Sequence, residues 1–211
     1  MNSSILITLP RYDDATEYLS QFSIVIEKEA VNKNISLKKL EENKVNRKEF
    51  EKVINKLNPK MIIFNGHGSE ESIYGHKGES IVEFGSNEKL LKERIVYARS
   101  CNVATILGRK CMADCFIGYN LPFMFYTDSN WSTKPLNDNT ARLFLEPSNL
   151  VPLSLIKGNS TFEAHEHSKN QILRNINKVL ASNKEESFIL AEALWNNYAG
   201  QELIGNSSAK L

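Results

Sequence analysis

The sequence predicts an α/β domain built on a mostly parallel sheet flanked by helices, and three observations carry that expectation. Short β-prone runs end abruptly in punctuating residues: ILITL (5–9) before Pro10, MIIF (61–64) before Asn65-Gly66, and RIVYA (94–98) before Arg99-Ser100. Between them lie stretches with apolar residues at helical spacing, and strands alternating with helices of this length imply right-handed crossovers and a sheet covered on both faces. The 211 residues, 41% hydrophobic and 24% charged, suffice for a full-sized core, so a single domain over 1–211 is expected.

The elements follow in order. Tyr18, Leu19, Phe22, Val25 and Ile26 predict a helix over 13–32. Residues 36–40 read as a second strand despite two lysines. Asn46, with Glu49 three residues on, has the spacing of a capping box and starts a helix that Leu57 and Pro59 close. After MIIF, residues 72–84 carry glycines at 75 and 78 between short apolar runs, which predicts a hairpin. A short helix over 87–93 leads to RIVYA. A helix is then expected over 103–114, weakened by Gly108, and a strand over 115–126 in which Pro122 marks a bulge or an end. Residues 128–139 read as loop, and helices are expected over 139–145, 161–182 and 185–195. No repeat or low-complexity tract interrupts the alternation.

Composition excludes several function classes. Twenty-six basic residues against 25 acidic leave a formal charge of +1, which argues against a nucleic-acid partner captured by bulk electrostatics. Three cysteines, an odd number, argue against a disulfide framework and fit a reducing compartment, where a thiol serves as core filler, metal ligand or nucleophile. No apolar stretch approaches the ~18 residues of a membrane span. Residues 1–10 lack the basic start of a signal peptide, so a cytoplasmic setting is expected. Ala209-Lys210-Leu211 resembles a peroxisomal tripeptide, but a three-residue match does not displace that expectation.

In parallel sheets, functional groups gather beyond the carboxyl ends of the strands. MIIF runs into Asn65-Gly66-His67-Gly68-Ser69 and RIVYA into Arg99-Ser100-Cys101-Asn102, which puts an imidazole and a thiol on one sheet edge. If the strands are neighbours at about 4.8 Å, the side chains come within reach of each other. The thiolate is the nucleophile, and a histidine beside it takes the thiol proton and later protonates a leaving amine. Glycines around His67 permit a tight turn, and the amides of Gly68 and Cys101 are candidate oxyanion donors. The helix expected after Cys101 would lower the thiol pKa through its dipole. Either residue alone is most often structural; their combination at two consecutive strand ends favours Cys–His chemistry.

Other motifs carry less. Cys111, Cys115, His165 and His167 depart from common zinc spacing, so no metal site is expected and the two cysteines read as core thiols. His76 in the hairpin reads as exposed. Gly66-His67-Gly68-Ser69 lacks the Gly-Lys-Ser/Thr of a phosphate loop, and no cofactor is expected.

The order strand–NGHGS–hairpin–helix–strand–ARSCNVA–helix resembles the caspase-like clan of cysteine peptidases, and within it the CHAT group, akin to separase and gingipain. The match rests on His67-Gly68, on Ser100-Cys101 with Ala104 and Leu107-Gly108, on the Asp138–Thr140 segment before a helix, on Thr161 to Ala164, and on Trp195 before a closing strand near Gly205. It covers about residues 5–205. The resemblance implies a caspase-like three-layer sandwich, with Cys101 as nucleophile, His67 as base and acid, and a protein or peptide substrate. Two departures stand out: Asn102-Val103 replaces the Glu or Gly that often follows the cysteine, and the large N-terminal repeat region of CHAT proteins is missing. A separate regulatory or activating protein is therefore expected, in a proteolytic switch of the kind used in microbial antiviral defence.

Arg99, two residues before Cys101, would share its face and project into the pocket for the residue preceding the scissile bond (P1), as the equivalent position does in caspase relatives. A guanidinium there favours an acidic residue. The rival is Asp128 or Asp138, because in separase-like relatives an Asp after the following strand selects arginine. The expectation leans to acidic P1. Two readings compete: a caspase-like interaction module without turnover, which predicts an unreactive Cys101, and a Cys-dependent small-molecule hydrolase or acyltransferase, which predicts a closed pocket.

Overall fold

The structure is a computed structural model that describes residues 4–211; positions 1–3 of the stretch read for a leader, and of the domain expected over 1–211, lie outside it. Strands β1 (Ser4–Leu9), β2 (Ser36–Glu41), β3 (Met61–Asn65), β6 (Ile95–Arg99), β7 (Cys115–Tyr119) and β8 (Gln201–Gly205) form one six-stranded sheet, while β4 (Ser72–Tyr74) and β5 (Ser80–Glu83) form an antiparallel pair beside it. The order is β2-β1-β3-β6-β7-β8; all pairs are parallel except β7–β8. The helices are α1 (Asp14–Phe22), α2 (Ile24–Asn32), α3 (Arg47–Leu57), α4 (Leu107–Lys110), α5 (Asn139–Ile156), α6 (Thr161–Ala181) and α7 (Ser187–Gly200). Alternate strand residues feed two cores. Leu6, Ile62, Phe64, Val96 and Phe116 pack with α3 and the β4–β5 hairpin, while Ile7, Ile63, Tyr97 and Ile117 pack with α2 and α5. The result is a caspase-like three-layer α/β sandwich.

Several expectations hold in kind, and the departures have physical reasons. Asn46 caps α3 by accepting the Glu49 amide at 2.9 Å. The expected 13–32 helix divides at Ser23, where the Ser20 and Ser23 hydroxyls bond back to the carbonyls of Thr16 and Leu19 at 2.7 and 2.8 Å. The helix expected over 103–114 shrinks to four-residue α4, because the amides before it are used elsewhere. Ala104 bonds Tyr119 O at 3.0 Å and Leu107 bonds Glu70 O at 2.8 Å. The strand expected over 115–126 stops at Tyr119.

Helix α5 extends beyond Leu145, through Pro147 and Pro152. Each proline removes an N–H and strands the carbonyl four residues back. Those two carbonyls are satisfied from outside the helix: Leu143 O accepts Asn175 Nδ2 at 2.7 Å, and Ser148 O accepts the Tyr97 hydroxyl at 2.7 Å. Among the described residues, no helix is long and apolar enough to cross a membrane.

Candidate functional site

Neighbouring strands β3 and β6 align Asn65 with Arg99, so the segments leaving their carboxyl ends emerge side by side. His67, Gly66, Ser100 and Cys101 line one small cleft of about 50 Å³, closed by Ala15, Thr16 and Leu19 of α1 and by Phe123 and Phe125. The two segments touch through Gly68: a Cβ placed there would lie 2.6 Å from Val103 Cγ1, 2.9 Å from Ser100 Cβ and 3.0 Å from Cys101 O. Only glycine allows that approach. Asn102, directly after the thiol, takes φ +60°, a left-handed conformation that asparagine tolerates where most side chains do not. The asparagine thus does conformational work for which glycine is the usual residue.

Among the described residues, the backbone amides of Gly68 and Cys101 carry no hydrogen bond, and the buried Ser100 hydroxyl has no partner. The thiol is half-buried, with Sγ 4.0 Å from Phe123 O, and makes no hydrogen bond to His67. Burial pushes the Cys101 thiol above its usual value, and α4 begins six residues downstream, so the expected lowering by a helix dipole is absent.

A third residue joins the imidazole. His67 Nε2 lies 2.7 Å from Asp13 Oδ2, and Nδ1 is left without a partner. Asp13 is the N-cap of α1, just beyond β1 on the same sheet edge. Burial raises its carboxyl, but hydrogen bonds from the Thr16 amide and hydroxyl, together with His67, outweigh that and hold it below its usual range. Sequence reasoning placed Asp13 at a helix start and missed its second role; an Asp cap following a strand on the carboxyl edge was the available signal.

The substrate residues expected from sequence are placed differently. Arg99 is fully buried on the α1–α5 side, sharing a face with Ile95 and Tyr97. All five of its N–H donors are occupied: Nε by Asn65 Oδ1 at 2.7 Å, Nη1 by Ser148 Oγ and Asn149 Oδ1, and Nη2 by Leu19 O and Ser23 Oγ. It borders the cleft floor but has no donor free for a substrate carboxylate, which corrects the expectation of direct pairing. Cys101 lies in the turn beyond the strand end at Arg99, and both residues line the same cleft. Asp138 is buried as the N-cap of α5: Oδ1 accepts the amides of Thr140 and Ala141, and Oδ2 accepts Tyr18 Oη and the Asp128 amide. Asp128 caps a short 3₁₀ turn through Asn130, and neither aspartate lines the cleft.

Cys111 and Cys115 are buried in the cores on opposite faces of the sheet, so they share no ion. His165 and His167 bond Gln201 O and Ser154 Oγ. His76 is half-buried rather than exposed, with Nδ1 2.9 Å from Pro10 O.

The layering and the sheet edge that carries these residues define a caspase-like fold. Consistent with that, the chain is similar to the crystal structure of the Arg-specific cysteine proteinase gingipain R, with a TM-score of 0.60 and 13% sequence identity over 99% of this chain and 47% of that one. The chain thus spans about half the length of that proteinase. No protein-family model matches the sequence, and no curated protein matches it.

Proposed function

We propose that the chain is a cysteine peptidase in which Cys101 attacks a peptide carbonyl, His67 moves the proton and Asp13 orients His67. The observation that carries this reading is the convergence in one cleft of a thiol and an imidazole gripped by a carboxylate at 2.7 Å, with the unbonded amides of Cys101 and of the adjoining Gly68 in the two segments that meet there. At rest the thiol is protonated. As sulfur bonds the carbonyl carbon, its proton passes to Nδ1 of His67 and the oxyanion meets the amides of Gly68 and Cys101. The C–N bond then breaks, the amine leaves with the proton from His67, and water deprotonated by His67 releases the acyl group from sulfur. The likeness to gingipain R supports the fold this chemistry needs.

For the substrate, a protein or peptide segment adds alongside residues 121–126, which leave the sheet in irregular backbone. Among the described residues, the one carboxylate at the cleft is that of Asp13, already engaged by His67 and Thr16, which disfavours arginine at P1. The buried guanidinium below the floor has no carboxylate partner, and its field favours an acidic P1 without contact. The three free cysteines fit a cytoplasmic setting. The order of sequence motifs supports the CHAT group, and the resemblance to that group in turn suggests a separate regulatory protein and a role in microbial antiviral defence.

Labelling with electrophilic peptide ketones tests the reading. The native protein labels and Cys101→Ala does not, and an Asp-P1 ketone outpaces an Arg-P1 ketone. Equal labelling of both proteins sinks the peptidase claim, as does no labelling even with the natural partner present; faster Arg-P1 labelling sinks the P1 assignment. One observation favours the second reading, a module without turnover: the thiol and imidazole share no hydrogen bond at rest.

A further inference from the structure

Asp13 has two carboxylate oxygens, and the structure gives each a separate partner. Oδ1 accepts the Thr16 amide at 2.8 Å and the Thr16 hydroxyl at 2.7 Å, while Oδ2 faces His67 Nε2 at 2.7 Å. The same hydroxyl oxygen accepts the amides of Tyr12 and Asp13 at 3.0 and 3.2 Å. Thr16 is fully buried yet borders the cleft. A cap box ordinarily places Glu or Gln three residues after the cap, where the long side chain reaches back to the cap amide. Threonine is shorter, and here its hydroxyl reaches the capping carboxylate as well as the backbone.

The segment so gripped needs holding. Arg11 takes φ +50°, a left-handed conformation unfavourable for a long side chain. On its other side, the His76 ring meets Pro10 O, and Tyr12 sits between two imidazoles, 6.0 Å from His67 and 5.6 Å from His76. The amide holds Oδ1 by a single hydrogen bond, a partial restraint on rotation of the carboxylate about its bond to Cβ. The hydroxyl supplies a second point of attachment and fixes which way the free oxygen points.

We propose that Thr16 is a positioning residue: by holding Oδ1 of Asp13 it aims Oδ2 at His67, so that the cap of α1 and the orientation of the imidazole are one device. Its effect on turnover rests on the peptidase reading; its effect on His67 does not.

The test compares Thr16→Val, which keeps the shape without the hydroxyl, with Thr16→Ser, which keeps the hydroxyl, each alone and combined with Asp13→Asn. Two quantities are read: the His67 ring titration by NMR and the pH profile of peptide-ketone labelling. Thr16→Val is expected to change the His67 titration and slow labelling by about 10-fold, below the ~100-fold that a 1 Å misplacement can cost. Thr16→Ser stays within about 2-fold of native, and Thr16→Val has no further effect once Asp13 is Asn, as coupled residues require. An unchanged His67 titration in Thr16→Val overturns the proposal, and so does an equal shift with and without Asp13. Thr16→Ala takes the place of Thr16→Val if the latter does not fold. If no variant labels but the titrations follow this pattern, the peptidase reading fails while the positioning role stands.

Discussion

His67 and Arg99 leave adjacent strands of one sheet, within a few residues of each other in register, and are housed in opposite ways. The His67 side chain is 45% exposed, with one carboxylate at 2.7 Å and a free Nδ1. Arg99 is sealed among Asn65, Ser23, Ser148, Asn149 and the Leu19 carbonyl, with no donor to spare. A group that must exchange protons needs access and an unfilled valence. A group that ties a strand end to two helices needs neither. Ionisable type at a strand end therefore does not identify a functional residue; the state of its hydrogen-bonding capacity does.

The largest expected effect breaks the open side. His67→Gln removes the proposed proton carrier and is expected to slow ketone labelling by roughly 100- to 10,000-fold, the range for general acid–base groups. Because the side chain is exposed, its unfolding midpoint in urea moves little. The sealed side behaves in reverse. Arg99→Met strands several buried acceptors and costs about 3 kcal/mol in urea unfolding, through orphaned polar groups. A small stability loss with a large labelling loss for Arg99→Met would erase the contrast.

Smaller changes sharpen it. Asp138→Ala removes a buried cap that accepts two amides of α5, costing about 1–2 kcal/mol in urea unfolding with P1 preference unchanged. On the same face of the sheet, at the far end of the neighbouring strand, burial pushes the Cys115 thiol up to about 11. The folded chain keeps a proton there that the unfolded chain releases from near pH 9, so stability falls as pH rises from about 9 to about 11. The loss is less than about 1 kcal/mol at pH 9, and Cys115→Ala flattens that part of the urea-unfolding profile against pH.

Much of the scaffold was legible because local signals and tertiary demands agreed. Asn46 capped where expected, the 72–84 hairpin formed, and apolar runs became central strands. Helix α5 runs past the expected 139–145 because distant donors rescue the carbonyls that prolines 147 and 152 orphan. Those donors, Asn175 and Tyr97, are 32 and 51 residues away from the carbonyls they satisfy. The same distance hid Asp13, which meets His67 across 54 positions of chain. Distance also hid the occupied donors of Arg99, whose partners Ser148, Asn149 and Ser23 lie 49, 50 and 76 positions away.

The contact at Gly68 acts as a manufacturing tolerance. A hydrogen where any other residue has carbon sets how near the imidazole's loop comes to the thiol's loop, and a Cβ would have to displace Val103, Ser100 and the Cys101 backbone together. Drift at this one position would part the two loops and press on Val103 at the edge of one core, leaving the core on the other face of the sheet untouched. A descendant with a single methyl group there would keep the far core and the strand order while the loops carrying His67 and Cys101 moved apart.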